Sequence, residues 1–194
     1  MDGRGEMTAR TTVADGVDEL RRALADDAGF ESWYRRTLPR VYSYLVSRSG
    51  GDVALAEDLT QQTFIAAVDQ RSRYDGRADT VTWLCGIARH KLADHFRAIE
   101  RDERRQLRME VRQIEMGVGG AQTDHGFEDR SMIAEILRSL PASQRAVLVF
   151  VVLDDLPVAE AARLLGKSRG ATESLLFRAR DSFRRAYGAE NRDD

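Results

Sequence analysis

At 194 residues the chain has room for one large domain or two small ones, and 42% hydrophobic with 32% charged residues marks a helix-rich globular protein rather than a disordered or fibrous one. A single cysteine, Cys85, excludes an intrachain disulfide framework and a cysteine metal cluster. The net charge of -2 excludes a uniformly basic protein, and the longest apolar run, 146–153, is far short of the roughly 20 residues of a membrane span.

No apolar segment follows Asp2, Arg4 and Glu6, so no secretory leader is expected, and the cytoplasm is the expected compartment. Charge is unevenly spread. Residues 1–31 hold four basic and eight acidic side chains, residues 86–108 seven and four, and residues 165–187 six and two. Two basic segments separated by acidic ones suit a polyanion held at two surfaces, or two solvated helix faces.

In chain order, the acidic extension 1–29 carries Leu20 and Leu24, which leaves a free tail and a partner-folded helix both open. Tyr34, Leu38, Val41, Tyr42, Leu45 and Val46 then step by three and four residues, and Pro39 among them predicts a fresh helix at its first turn. Asp52 predicts the N-cap of a helix through Val68. There Leu55, Leu59 and Ala66 share one face and Phe64 and Val68 the opposite one, with Asp58, Gln61 and Gln62 between. Two apolar stripes mean either a helix sandwiched in a bundle or a face that docks a partner.

A third helix is predicted from Val81 to Arg104 with Thr80 as its cap, about 35 Å long and able to cross a duplex. Val81, Leu84, Ala88, Leu92, His95 and Ile99 form its apolar stripe; His90, Arg97 and Arg101 lie opposite, and Trp83 sits at the stripe's edge. His90 and His95 are five apart and do not share a face, which argues against a zinc pair. Cys85, beside Trp83 and Leu84, reads as core, with a reactive redox thiol as the lesser alternative. Gly117, Gly119, Gly120 and Gly126, with Gln122, Thr123 and Asp124 between them, predict a linker, 107–128.

Beyond the linker a helix is predicted around Ile133 to Leu140, and Pro141 opens another. The run AVLVFVVL at 146–153 is rich enough in β-branched residues for a buried strand, and its helical neighbours decide for a buried helix. Pro157 opens VAEAARLL, which Gly166 ends, and Ser168 caps a last helix with Thr172, Leu175, Leu176, Ala179, Phe183 and Ala186 on its inner stripe. No alternating strand pattern and no internal repeat is visible. The expected fold is all-α: two small helical domains, 30–106 and 129–187, joined by the linker and followed by a tail, 188–194.

Two helices joined by a tight glycine-containing turn make a helix-turn-helix, with small Ala162 at the crossing and Gly166 free to adopt the left-handed turn. The second helix exposes Arg169, Glu173, Ser174 and Arg178 near its start. Such a start enters the major groove while its dipole and arginines hold phosphates.

Residues 30–105 and 129–187 together resemble the sigma factors of bacterial RNA polymerase, of the compact extracytoplasmic-function (ECF) type. AEDLTQQTF (56–64) is similar to that family's region 2.2, and TWLCGIARHKLADHFR (82–97) to its regions 2.3 and 2.4. LPASQRAVLVF and LPVAEAARLLGKSRGATESLLFRAR are similar to its region 4. The matches fall in the family's order.

The resemblance implies that Asp58, Gln61, Gln62 and Phe64 contact the β′ clamp helices of core polymerase, with a further contact to the β flap. It implies that Arg73, Trp83, His90, Lys91, Asp94, Arg97 and Arg101 face the −10 promoter element, the loop 71–79 catching an unstacked base. It implies that Ser168, Arg169, Thr172, Glu173, Ser174 and Arg178 face the −35 element. Gln62 stands where a glutamate is more usual, His90 where an asparagine is common, and Leu175 where many members carry arginine. The resemblance further implies promoter DNA and an anti-sigma factor as partners. No cofactor, metal or membrane insertion is expected, and no reaction chemistry.

A two-domain helix-turn-helix regulator that never engages polymerase explains the C-terminal half but not AEDLTQQTF. An enzyme is poorly supported, for there is no phosphate-binding glycine loop, nucleophile setting or metal constellation.

Overall fold

The computed structural model describes Leu20, Ala23, residues 25–114 and residues 132–190. Seven α-helices and no strand occur among the described residues: α1 (Asp27–Arg48), α2 (Val53–Asp69), α3 (Thr80–Ile114), α4 (Met132–Ser139), α5 (Ala142–Leu148), α6 (Val158–Leu165) and α7 (Arg169–Glu190). The glycine-rich part of the expected linker and Leu24 lie outside the described residues. Leu20 and Ala23 are helical and buried. The chain forms two compact units, one up to Leu92 and one from Ala93 on, the boundary falling within α3.

In the first unit α1 packs on α2. Asp26 caps α1 by accepting from Gly29 N at 2.7 Å, and Asp52 caps α2 by accepting from Leu55 N at 3.0 Å. The fresh helix expected at Pro39 is not there: α1 runs through Pro39 without a break. An interior proline costs one backbone hydrogen bond and about 3 kcal/mol. The buried stripe Trp33, Thr37, Val41 and Leu45 spans the site on both sides and outweighs that loss. A short 3₁₀ turn, Arg71–Arg73, leads to the coil before α3.

The cap of α3 is Asp79 rather than Thr80. The Asp79 carboxylate accepts from Val81 N and Thr82 N at 3.0 Å and from the Thr82 hydroxyl at 2.7 Å, whereas Thr80 is buried inside the first turn. These bonds, led by that from Thr82 Oγ1, hold the Asp79 carboxyl below the usual aspartate range. The helix also continues past the expected Arg104 to Ile114. Residues 105–114 contain neither glycine nor proline, so nothing in them stops it. Leu84, Ala88 and Leu92 are buried as the stripe requires, while Cys85, expected in the core, is only half-buried.

In the second unit α4, α5 and α6 pack around α7. The run 146–153 departs from a plain buried helix: α5 ends at Leu148 and a π-helical turn, Val149–Leu153, follows. Val149 and Phe150 are buried, but Val152 and Leu153 stand in solvent. The wider turn lets Asp154 N reach Val149 O at 2.9 Å and Leu156 N reach Phe150 O at 3.0 Å before the chain enters α6.

Candidate nucleic-acid and protein interface

The first candidate surface is the outer face of α2. Asp58, Gln61, Gln62 and Ile65 are spaced i, i+3, i+4 and i+7 and so share one face. Asp58, Gln61 and Ile65 are exposed and Gln62 is half-buried. Gln62 Nε2 donates to Asp58 Oδ2 at 2.8 Å, which fixes the two polar heads side by side. Ile65 is 65% exposed, a large apolar side chain standing among polar ones.

Phe64 does not belong to this surface. It is 4% exposed and packs edge-on to Tyr34 at 4.6 Å and to Trp33 at 5.5 Å between ring centroids. The two stripes read from the sequence are the edges of a single wide buried arc whose middle is filled by Ala56, Thr60, Thr63 and Ala67. The hydroxyls of Thr60 and Thr63 donate to Ala56 O and Leu59 O at 2.6 and 2.7 Å, so both threonines bury at little cost. Sandwiching therefore accounts for Phe64, and its expected contact role is overturned.

The second candidate surface runs along α3. Trp83, His90, Asp94, Arg97 and Arg101 follow one another at three, four or seven residues along one face, which covers about 27 Å of helix. His90, Asp94 and Arg101 are exposed; Trp83, Lys91 and Arg97 are half-buried. Trp83 leans on Tyr74 at 5.0 Å, and Tyr74 donates its hydroxyl to Ala78 O at 2.6 Å, which ties the loop to the helix start. Asp94 and Arg97 form an ion pair within the helix. Arg73 is exposed in the 3₁₀ turn. Arg104, at the end of the expected helix, and Arg105 and Arg108, beyond it, are further exposed cations.

The third candidate surface is the helix-turn-helix formed by α6 and α7. Gly166 ends α6 at φ 63°, ψ 34°, the left-handed conformation that favours glycine. The Ser168 side chain then accepts from Ala171 N at 3.2 Å as the cap of α7. Ser168, Arg169, Glu173, Ser174 and Arg178 are exposed, and Arg169 Nε pairs with Glu173 Oε1 at 2.8 Å on the same face.

Thr172, expected to face the −35 element, does not lie on this face. It is 0% exposed, and its hydroxyl donates to Ser168 O at 2.9 Å, so it belongs with Leu175, Leu176 and Ala179 on the inner stripe. Phe177, which the sequence reading passed over, is 76% exposed in the middle of the outward face with Ser174 and Arg178 beside it. Its spacing from Gly170 and Ser174 was the available signal: all three fall opposite the inner stripe. Among the described residues no group of three or more His, Cys, Asp or Glu side chains could hold a metal ion, and no helix is long and apolar enough to cross a membrane.

Residues 33–102 match the family model for sigma-70 region 2, and residues 130–182 match that for sigma-70 region 4. The chain is 32% identical over 178 residues to the ECF RNA polymerase sigma factor SigC of Mycobacterium tuberculosis, covering 91% of this chain and 94% of that protein. It is 34% identical over 173 residues to the ECF RNA polymerase sigma factor BldN of Streptomyces coelicolor, covering 84% of this chain and 62% of BldN. Among solved structures it is similar to the sigma factor RpoE in complex with the anti-sigma factor NepR from Bartonella quintana, with 21% identity, 82% and 96% of the two chains covered and a TM-score of 0.48.

Proposed function

The chain belongs to the ECF sigma factors of RNA polymerase, which direct transcription initiation, and from that premise we propose how its exposed residues divide the work. Residues 30–106 carry polymerase docking and the −10 element. Residues 129–187 carry the −35 element. Residues 1–29, 107–128 and 188–194 lie outside both tasks.

Core polymerase docks on the outer face of α2 through Asp58, Gln61, Gln62 and Ile65, which meet the β′ clamp helices. The observation that carries this is Ile65: an apolar residue held 65% in solvent, flanked by an acid and two amides, on a helix whose opposite face is buried along Ala56, Thr60, Thr63 and Ala67. A central apolar anchor ringed by polar groups is the anatomy of a protein interface. A regulator that never engages polymerase has no use for it. The β flap is the second polymerase contact.

The −10 element lies along α3. Arg73, Lys91, Arg97 and Arg101 hold phosphates, His90 and Asp94 offer polar groups to base edges, and Trp83 on Tyr74 offers an aromatic surface to an unstacked base. Trapping such a base offsets an unstacking cost of a few kcal/mol. The −35 element meets α7. Ser168 and the helix start take phosphate, Arg169, Glu173, Ser174 and Arg178 face base edges and backbone, and Phe177 offers an apolar contact to a thymine methyl.

The chain supplies sequence reading and strand opening to an enzyme and performs no reaction itself. Its place of action is where chromosome and polymerase are, the cytoplasm. An anti-sigma factor that covers the basic faces is the expected regulator. Mixing the purified chain with core polymerase and promoter DNA tests the reading. Promoter-specific transcripts that depend on Ile65 support it, and a chain that binds DNA but leaves core polymerase unbound refutes it.

A further inference from the structure

Apart from the three candidate surfaces, the second unit holds an open cleft of about 380 Å³, at the small end of the roughly 300–1,000 Å³ usual for ligand sites. Residues of α3, of α5 and of α7 line it, with Lys167 from the turn before α7. The groups these walls leave unused define the molecule that fits.

Glu100 offers a ligand nothing. Lys167 Nζ donates to both of its carboxylate oxygens at 2.7 and 3.0 Å, and Arg104 Nη2 donates to Oε1 at 2.7 Å. The acid and the two cations satisfy one another. Glu103 is only half engaged: Oε1 accepts from Ala142 N at 3.1 Å, and among the described residues nothing bonds Oε2. Arg178 is half engaged as well. Its Nε donates to Ser174 O at 3.4 Å, which leaves both terminal amino groups of the fork uncommitted among the described residues.

Gln144 points to a ligand most directly. Its Oε1 is buried in the lining of the cleft without a hydrogen-bond partner. A buried acceptor left unpaired is destabilising, so a donor brought by a ligand is gained without displacing an existing bond. The lining also has an apolar part. Leu107 is 65% exposed, whereas Leu175, on the α7 side, is buried. An apolar group placed there would take Leu107 out of water.

A polyanion meets the free oxygen of Glu103, and a simple cation meets the free fork of Arg178. A zwitterion answers both. We propose that this cleft binds a free α-amino acid with an apolar side chain. Its ammonium donates to Glu103 Oε2 and Gln144 Oε1, its carboxylate accepts from the Arg178 fork, and its side chain covers Leu107. This binding is independent of the promoter reading. One consequence does rest on that reading: Arg178 also faces the −35 element, so an arginine held by the ligand carboxylate is withdrawn from DNA.

The test uses the full chain in calorimetric titrations. The probes are L-leucine, L-methionine and L-phenylalanine, each beside its N-acetyl form, which lacks the ammonium, and its amide, which lacks the carboxylate. The site predicts saturable binding of at least one free amino acid and binding about tenfold weaker for both of its blocked forms. Gln144→Leu is expected to weaken binding about tenfold while unfolding at a temperature no lower than wild type, because an unpaired acceptor gives way to an apolar side chain of similar size. That split separates a ligand contact from a structural role.

No saturable binding of any probe overturns the proposal. Blocked forms that bind as tightly as the free amino acid overturn it too, as does undiminished binding by Gln144→Leu. Affinity for a −35 duplex is then measured with the cleft filled and empty. A several-fold loss on filling supports the shared use of Arg178, and equal affinities overturn that use. A chain that binds no −35 duplex at all refutes the promoter reading, and the calorimetric result still decides the site.

Discussion

Phe64 stands edge-on to Tyr34, with ring centroids 4.6 Å apart, and the next residue along α2, Ile65, turns fully away into solvent. That one-residue step separates folding from docking. Phe64→Ala removes a ring from a core that cannot close over the gap and is expected to cost about 3–5 kcal/mol of stability. Ile65→Ala is expected to leave thermal unfolding unchanged and to weaken core polymerase about tenfold, the size of a modest hot spot. Thermal unfolding and polymerase titration on both variants check the pair. Loss of polymerase affinity in well-folded Phe64→Ala, with Ile65→Ala unaffected, would contradict it.

The outward face of α7 carries two arginines held differently, Arg169 in an ion pair with Glu173 and Arg178 with its Nε donating to Ser174 O at 3.4 Å. Arg169→Ala frees Glu173 from its 2.8 Å pair and is expected to change which −35 sequences are preferred. Arg178→Ala is expected to weaken all sequences alike and to lower the salt slope of binding by about 1. Phe177→Ser is expected to lose preference at a thymine position with little effect on folding, since its ring is 76% exposed. Binding selections from random duplexes, repeated at two salt concentrations, separate the three.

Asp79 anchors the start of α3, and Asp79→Ala is expected to cost about 1 kcal/mol, the ordinary worth of a cap. Its carboxyl is held below the usual aspartate range, chiefly by the bond from Thr82 Oγ1. A lowered folded-state pKa means the stabilisation is fully present above the unfolded value, about 3.9, and is lost as pH falls through the folded value. The stability gap between wild type and Asp79→Asn should therefore be flat from neutral pH down to about 4 and narrow below it. Denaturant midpoints across that range check this, and a gap that widens on acidification would contradict it.

Gly166 holds φ 63° at the turn before α7, and an added methyl there meets only Arg97 Nη1 at 3.8 Å. Room is thus not the obstacle. Gly166→Ala is expected to cost about 1–2 kcal/mol from the left-handed backbone alone. A calorimetric difference near zero would mean the turn relaxes to another conformation.

The sequence pattern carried the helices, the Asp52 cap and the αL glycine because each is set by local chemistry: periodicity, a capping carboxylate and a missing Cβ. Asp58 and Gln61 were legible as an outer face for the same reason. Phe64 misled because Thr60 and Thr63 count as polar in a pattern, yet bond their own helix and behave as core. That hid the middle of the buried arc and made its edges look like two stripes. Ile65 belongs to neither apolar stripe and falls among Asp58, Gln61 and Gln62, so a reading built on stripes passes over it. Thr172 was placed on both faces, and its bond to Ser168 O decides for the inner one. The Glu100–Lys167 pair joins residues 67 positions apart, a separation at which helical periodicity carries no information.

The central claim is that an exposed apolar residue on α2 couples a two-element DNA reader to polymerase. Mapping the 5′ ends of transcripts made on whole genomic DNA by core polymerase, with either wild type or Ile65→Glu protein, tests it most directly. The account predicts discrete start sites preceded by shared −10 and −35 sequences with wild type, and their loss with the folded Ile65→Glu variant. Start sites that are equally abundant with both proteins would contradict it.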